Sequence, residues 1–248
     1  NIKIVEDMRK KISHRGPDFK ITWQNEFNSI GFVRLAIIDL SENSNQPFST
    51  KDKKINLFYN GEIYNFKELK EKYFKNHIFK SAGDGEIILH LYQNFGIEFI
   101  KKIKGMFSIV ISDEVKKTTY LIRDRFGIKP LYYFNDLKNK ELTYCSEIQG
   151  IFENKKIKKN QNYYETLRYL KQGLISSTEE TWFDGILQVK PGHYLKFDKE
   201  GLKQIKYYSL EDSVYENDNE SKSFYSYLET FKEKIFNSFN QHTIFDVK

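Results

Sequence analysis

Three observations on the sequence predict an α+β protein that contains antiparallel sheets. Most of its periodic segments are strand-like runs rich in β-branched and aromatic residues and bounded by turn formers. The helix-like segments fall between groups of strands rather than one after each strand, which disfavours a doubly wound parallel sheet. The chain has 248 residues, of which 39% are hydrophobic, so it is long and apolar enough to bury a sizeable core.

The predicted elements follow from their periodicity. An amphipathic helix up to residue 11 is broken by Gly16 and Pro17. Alternating or continuous apolar runs predict strands at residues 20–23, 30–38, 55–59, 106–112, 118–122, 131–134 and 141–144. Apolar residues at helical spacing predict helices at residues 66–74, 85–95, 98–104 and 163–171.

The last part of the chain predicts a domain boundary. Residues 212–222 are polar and acidic with no periodicity, which is typical of a linker, and residues 223–239 follow as an amphipathic helix. We therefore expect one domain over residues 1–211, a linker over 212–222 and the start of a second domain over 223–248. Because the chain opens at Asn1 in a helix-like segment with no leading strand, we also expect it to be an internal piece of a longer protein.

Composition excludes several classes of function. The net charge is +6, but the lysines are interleaved with acids and no RNP-type aromatic motif accompanies them, so nucleic-acid binding is not expected. No apolar stretch is long enough to span a bilayer, and a cytoplasmic protein without membrane contact is the default expectation. Cys145 is the single cysteine and the five histidines show no paired spacing, so neither a disulfide framework nor a metal site is predicted.

Residues 60–65, Asn-Gly-Glu-Ile-Tyr-Asn, carry the most chemical information. They follow the apolar run 55–59 with an amide, a bare backbone and a carboxylate. Gly61 lets a ligand approach the main-chain N–H, and the amide of Asn60 can donate to the same developing oxyanion, while Glu62 can hold a positive group. The alternative is a hairpin turn, because Asn-Gly between apolar runs is a strong hairpin signal. The helical spacing that begins after Asn65, a suitable N-cap, fits a hairpin poorly.

Two charged residues have open interpretations of the same kind. Arginine is rare in this lysine-rich chain, and only its guanidinium offers a planar fork to a carboxylate, so Arg34 is a candidate for bidentate binding or else an edge-strand residue. Asp84 is a candidate ligand for a cation or else a helix N-cap, with Glu86 in the first turn.

A series of motifs, in this order, resembles the glutaminase domain of glutamine-hydrolysing asparagine synthases, which are class II glutamine amidotransferases. The resemblance extends from about residue 14 to about residue 208. The motifs are HRGPD at 14–18, RLAIID at 34–39, QP at 46–47, NGEIYN at 60–65, GDGE at 83–86, GMF at 105–107, RDRFGIKPLY at 123–132, SE at 146–147 and PGHY at 191–194.

This resemblance implies an N-terminal-nucleophile amidotransferase fold, a sandwich of two antiparallel sheets flanked by helices. It also implies that glutamine is bound, with Arg34 on its α-carboxylate and Asp84 with Glu62 on its α-ammonium. Asn60 and the N–H of Gly61 would stabilise the tetrahedral oxyanion. The whole enzyme would hydrolyse glutamine to glutamate and ammonia, and use the ammonia for the ATP-dependent amidation of aspartate to asparagine.

The sequence departs from the family in two ways. The family uses a cysteine at the mature N-terminus as nucleophile, whereas this chain begins with Asn1, and Cys145 lies in a strand-like run without a free amine. We therefore expect the 248-residue chain itself to be inactive. No pyrophosphate loop of the synthetase domain occurs before residue 248, so no cofactor is expected in this segment, and ATP and Mg²⁺ belong to the missing domain.

Other interpretations of the same residues stay open. One is a related amidotransferase that acts on a sugar or polysaccharide precursor, because the acceptor is chosen by the missing domain. Another is a glutamine-binding module without a nucleophile that keeps Arg34, Glu62 and Asp84. A homodimer is compatible with any of these.

Overall fold

The structure, a computed structural model, describes residues 2–175, 178–214 and 223–243. Helices and strands alternate in groups, as the sequence predicted. The helices are α1 (Ile2–Lys11), α2 (Phe66–Tyr73), α3 (Glu86–Phe95), α4 (Ile148–Ile151), α5 (Tyr163–Gln172), α6 (Leu210–Val214) and α7 (Phe224–His242). The strands are β1 (Phe19–Gln24), β2 (Ser29–Arg34), β3 (Phe48–Ser49), β4 (Ile55–Ile63), β5 (Gly105–Asp113), β6 (Thr118–Arg123), β7 (Tyr132–Asp136), β8 (Glu141–Cys145), β9 (Ile186–Gln188), β10 (His193–Asp198) and β11 (Gly201–Lys206).

A six-stranded sheet forms the centre of the molecule, in the order β11-β10-β6-β5-β4-β3, with every neighbouring pair antiparallel. Strand β6 is buried along its whole length, so both faces of the sheet are covered there. Two smaller antiparallel sheets accompany it, β1-β2 and β8-β7-β9.

Alternate residues of the central strands pack into two different cores. Leu57 and Ile111 point to the face covered by helices α2 and α3, in a cluster with Phe66 and Ile88. Their neighbours, among them Phe58, Val110 and Leu121, point to the opposite face and pack against β2 and β7 of the two small sheets. This is the period of two expected of strands buried on both sides.

A third cluster covers the far side of the small sheets. Met8 of α1 and Ile12, which follows α1, pack there with Ile151 of α4 and with Cys145 of β8. The layers are therefore helices, the six-stranded sheet, the pair of small sheets and a second layer of helices. The predicted class, α+β with a sandwich of antiparallel sheets flanked by helices, is confirmed, and one of the two sandwich layers is divided into two sheets.

Several predicted boundaries were wrong. Strand β2 ends at Arg34 rather than at residue 38, because the chain turns away before Asp39, which has a φ of 52°. Residues 96–101 form a 3₁₀ helix where an α-helix was expected at 98–104. The linker at residues 212–222 stays a prediction, since α6 reaches residue 214 and residues 215–222 lie outside the described part of the chain.

Strands β9, β10 and β11 were not predicted. Strand β9 has only three residues, and β11 combines two lysines and a glutamine at the edge of the central sheet, so the apolar pattern of both is weak. Tertiary pairing with β6 and β7 determines their conformation. Among the described residues, no helix is long and apolar enough to cross a membrane.

Candidate functional site

One cavity, with a volume of about 600 Å³, is bordered by all five residues that the sequence singled out for binding and catalysis. Arg34 comes from the end of β2, Asn60, Gly61 and Glu62 come from the end of β4, and Asp84 comes from the loop before α3. The cavity also borders strand β8. Strands β2 and β8 are the edge strands of their sheets among the described residues, so the cavity lies between two sheet edges.

Residues 60–62 lie within a strand and not in a turn. Strand β4 runs to Ile63, four residues further than predicted, because Asn60, Gly61 and Glu62 pair with Ser108, Phe107 and Met106 of β5. The hairpin alternative is therefore wrong. The structure does place Asn65 at the N-cap of α2, although its amide binds the backbone of residues 102 and 104 instead of capping the helix.

Gly61 is required by its surroundings. Its φ is 154°, and a Cβ placed on it would lie 2.1 Å from the carbonyl oxygen of Met106. No side chain fits between the two backbones there, so only glycine allows β4 and β5 to approach each other this closely. Asn60, the residue before it, also borders the cavity.

The guanidinium of Arg34 is buried and oriented by the loop that follows β2. Nη1 donates to the carbonyl oxygen of Ser41 at 3.0 Å and to Oδ1 of Asn45 at 2.8 Å, and Nη2 donates to the carbonyl oxygen of Asp39. Burial lowers the pKa of Arg34, while Asp39 and Asp18 oppose that effect. These bonds use three of the five N–H donors of a guanidinium and hold the side chain in one orientation.

Asp84 is a buried carboxylate held by two donors. Its Oδ2 accepts hydrogen bonds from the hydroxyl of Tyr59 at 2.6 Å and from the backbone N–H of Ile63 at 2.7 Å. Burial raises the pKa of Asp84 despite these bonds and the nearby ammonium of Lys70. A buried carboxyl whose charge is only partly compensated is suited to a cationic ligand. The N-cap alternative does not hold, because Gly85 occupies that position and no side chain caps α3.

Glu62 also borders the cavity. Burial raises the pKa of Glu62, the ammonium of Lys129 opposes that rise, and the charge of Asp84 adds to it. The charge of Asp84 thus disfavours the ionisation of Glu62, and a positive group bound near Glu62 would oppose that effect.

One carboxylate that positions the site was not predicted from the sequence. Asp39 accepts hydrogen bonds from the hydroxyls of Ser44 at 2.7 Å and Ser81 at 3.0 Å, and from the N–H of Ala82 at 2.8 Å, so it joins the Arg34 loop to the Asp84 loop. Burial opposes the ionisation of Asp39, but these and other hydrogen bonds outweigh it and lower the pKa of Asp39 well below its usual range. The RLAIID motif contained Asp39, but nothing in the sequence paired it with residues 81 and 82.

Acidic residues of two other motifs stabilise the fold. The carboxylate of Asp124 is fully buried and accepts N–H groups of Phe107 at 3.2 Å and of Ile128 and Lys129 at 3.0 Å, as well as that of Phe126 at 3.0 Å. It fixes the turn of the 123–132 motif. The 14–18 and 146–147 motifs meet through Glu147, which makes a hydrogen bond with His14 at 2.9 Å and an ion pair with Arg15 at 3.1 Å.

Cys145 borders the cavity, but its environment is that of a core residue. It is the last residue of β8, its exposed fraction is 7%, and it packs with Met8 and Ile12. Burial raises the pKa of its thiol, which disfavours the thiolate needed of a nucleophile. The sequence-based interpretation of Cys145 as a small buried hydrophobe agrees with this position.

The fold is shared with solved structures of low sequence identity. A solved structure of the allosteric regulatory enzyme of purine biosynthesis superposes with a TM-score of 0.56 at 19% identity, covering 83% of this chain and 46% of that one. The chain belongs to the glutamine amidotransferase domain family, whose family model matches residues 1–208.

Two relatives extend over most of the chain. The chain is 41% identical over 215 residues to asparagine synthetase [glutamine-hydrolyzing] 2 of Bacillus subtilis, covering 84% of this chain and 28% of the relative. It is 34% identical over 229 residues to a putative asparagine synthetase [glutamine-hydrolyzing] 2 of Methanocaldococcus jannaschii, covering 84% of this chain and 44% of the relative. The chain therefore spans less than half the length of either relative.

Proposed function

We propose that this chain is the glutamine-binding part of a glutamine-dependent asparagine synthase. The observation that carries the proposal is the set of residues around one cavity: an arginine, two acidic residues, an asparagine and a glycine all border it. Glutamine has an α-carboxylate, an α-ammonium and a carboxamide, so each of its polar groups has a partner of suitable chemistry there.

The roles follow from charge and hydrogen-bonding capacity. Arg34 offers its two remaining donors to the α-carboxylate of glutamine, and Asp84 together with Glu62 binds the α-ammonium. A ligand that lacked either charged group would leave a buried guanidinium or carboxylate without its partner, which accounts for selectivity. Asn60 and the N–H of Gly61 donate to the carboxamide oxygen, on which negative charge develops when the carbonyl carbon is attacked.

Hydrolysis needs a nucleophile as well as this binding site. In the family that the sequence resembles, the thiol of an N-terminal cysteine attacks the carboxamide carbon of glutamine, and the α-amine of that cysteine transfers the thiol proton to the leaving ammonia. Water then hydrolyses the thioester that has formed. Cys145 is unsuited to this role by its burial and its raised pKa. We therefore propose that the 248-residue chain binds glutamine without hydrolysing it.

The activity of the whole protein is also a proposal. The names of the two relatives favour aspartate as the acceptor, with ATP and Mg²⁺ used outside residues 1–211. On this view residues 223–248 begin the part that activates aspartate, and residues 212–222 link the two. A cytoplasmic location and a homodimer are compatible with such an enzyme.

Calorimetric titration of the purified chain with glutamine tests the proposal. We expect saturable binding of glutamine to the unsubstituted chain. Arg34→Lys should lose at least tenfold in affinity, or about 1.4 kcal/mol, because an ammonium cannot reproduce the two parallel N–H donors of a guanidinium. Glu62→Gln should also weaken binding, because it removes a charge that partners the α-ammonium. Arg125→Lys is the matched control, because Arg125 is not among the residues that border the cavity.

Binding that is the same in all four proteins would contradict the assigned site. An ammonia-release assay on the same samples tests the second part of the proposal. Ammonia production from glutamine by the unsubstituted chain, above that of a Cys145→Ala variant, would show that a buried thiol can act as the nucleophile.

A further inference from the structure

We propose that His77, Glu86 and His90 form a binding site for a divalent transition-metal ion of the Zn²⁺ type. The three residues lie outside the cavity described above. Glu86 and His90 occupy positions i and i+4 on α3, and His77 comes from the loop between α2 and α3. Their potential ligand atoms all lie within 4.8 Å of one another.

The spacing of two of these atoms already approaches that of a metal site. Nε2 of His90 is 3.5 Å from Oε1 of Glu86. Bonds of about 2.0–2.1 Å in a tetrahedral arrangement place neighbouring ligand atoms about 3.3 Å apart. The ring of His77 has its centroid 4.2 Å from that of His90, so closing the third side needs only a small rotation of a side chain that is exposed.

The ligand types are those of a known class of metal site. Two imidazoles and one carboxylate, with a fourth position left for water or another ligand, are a common arrangement around zinc. Carboxylates that bind metals are normally held by further hydrogen bonds. Glu86 meets that condition, because its Oε1 accepts the N–H of Lys80 at 3.2 Å and its Oε2 accepts the N–H of Ser81 at 2.7 Å.

Apolar groups border the site. The rings of Phe74 and Phe79 contact both histidines, with centroid distances from 4.7 to 6.0 Å. Such a wall limits water around the ligands and strengthens their interaction with a cation. The ammonium of Lys70 binds the carbonyl oxygens of Ser81 and Gly83 and thus anchors the same loop from another side.

Metal binding here would act on the loop that carries Asp84. That loop connects His77 to α3, and Asp84 lies two residues before Glu86. A metal ion joining His77 to α3 would cross-link the two ends of the loop. The expected consequence is added stability of the loop, and the inference does not require that the cavity bind glutamine.

Zinc and cobalt titrations of the purified 248-residue chain test the proposal. We expect one equivalent of Zn²⁺ by equilibrium dialysis and a visible absorption band typical of four-coordinate Co²⁺. At a hundredfold excess over Kd, Zn²⁺ should raise the Tm by about 5–10 °C. His77→Ala and His90→Ala should each weaken Zn²⁺ binding by roughly 100-fold or more, because each removes one ligand.

His14→Ala is the matched control, because His14 is also an exposed histidine paired with a glutamate but belongs to no group of three potential ligands among the described residues. It should keep the equivalent of zinc and the cobalt spectrum. The proposal is overturned if the unsubstituted chain binds zinc no more tightly than His77→Ala, or if His14→Ala loses as much affinity as the two ligand variants. Folding of each variant is checked by its Tm without metal.

Discussion

Replacing Gly61 by alanine is the most direct test of how the site is built. The new Cβ would lie 2.1 Å from the carbonyl oxygen of Met106 and 2.7 Å from Cα of Phe107, both of which belong to backbone. The strands β4 and β5 must therefore separate by about 1 Å at this point, which is overpacking that costs about 1–3 kcal/mol. The φ of 154° adds about 1–3 kcal/mol of backbone strain for a residue with a Cβ.

We expect Gly61→Ala to lower the free energy of unfolding by about 2–6 kcal/mol, measured by urea denaturation followed by circular dichroism. Gly173→Ala is the matched control. Gly173 has a φ of 68°, and a Cβ added to it would have no atom within 4 Å, so only backbone strain of about 1–2 kcal/mol applies. If the two variants lose the same stability, the close approach of β5 to Gly61 is not what requires glycine, and the reasoning fails.

Two further predictions concern carboxylates that position the site. Asp39→Asn should destabilise the fold at pH 7 but progressively less towards pH 3. The lowered pKa of Asp39 contributes stability that is present above the unfolded pKa of about 3.9 and is lost as the pH falls below that value. A pH-independent difference between the two proteins in urea unfolding would contradict this. Asp124→Ala should cost about 4 kcal/mol or more, since it leaves four backbone N–H donors without their acceptor. Asp136→Ala, at an exposed turn, should cost far less in the same urea titration.

The sequence identified the five cavity residues through their motifs, and the fold class through the distribution of strand-like runs. It failed at boundaries set by pairing. Strand β4 continues to Ile63 because β5 lies beside it over nine residue pairs. The helical spacing after Asn65 argued against a hairpin, but no local signal located the end of the strand. Asp39 escaped prediction for a similar reason, because its partners at residues 44, 81 and 82 meet it only when two loops fold together.

The histidines show the same limit. Their positions gave no paired spacing, so the sequence predicted no metal site, yet a short loop returns His77 to the first turns of α3 beside Glu86 and His90.

By itself the sequence determined which chemical groups are available. These are a glycine at a strand position that has no room for a side chain, an arginine in a lysine-rich chain, and acidic residues within the motifs. The tertiary structure alone decided which of those groups share a cavity and which only hold the fold, as Asp124 and Glu147 do. The reason is physical. Residue type and local periodicity are encoded within a few positions, whereas burial, hydrogen-bond partners and the pKa values that follow from them depend on contacts between distant segments.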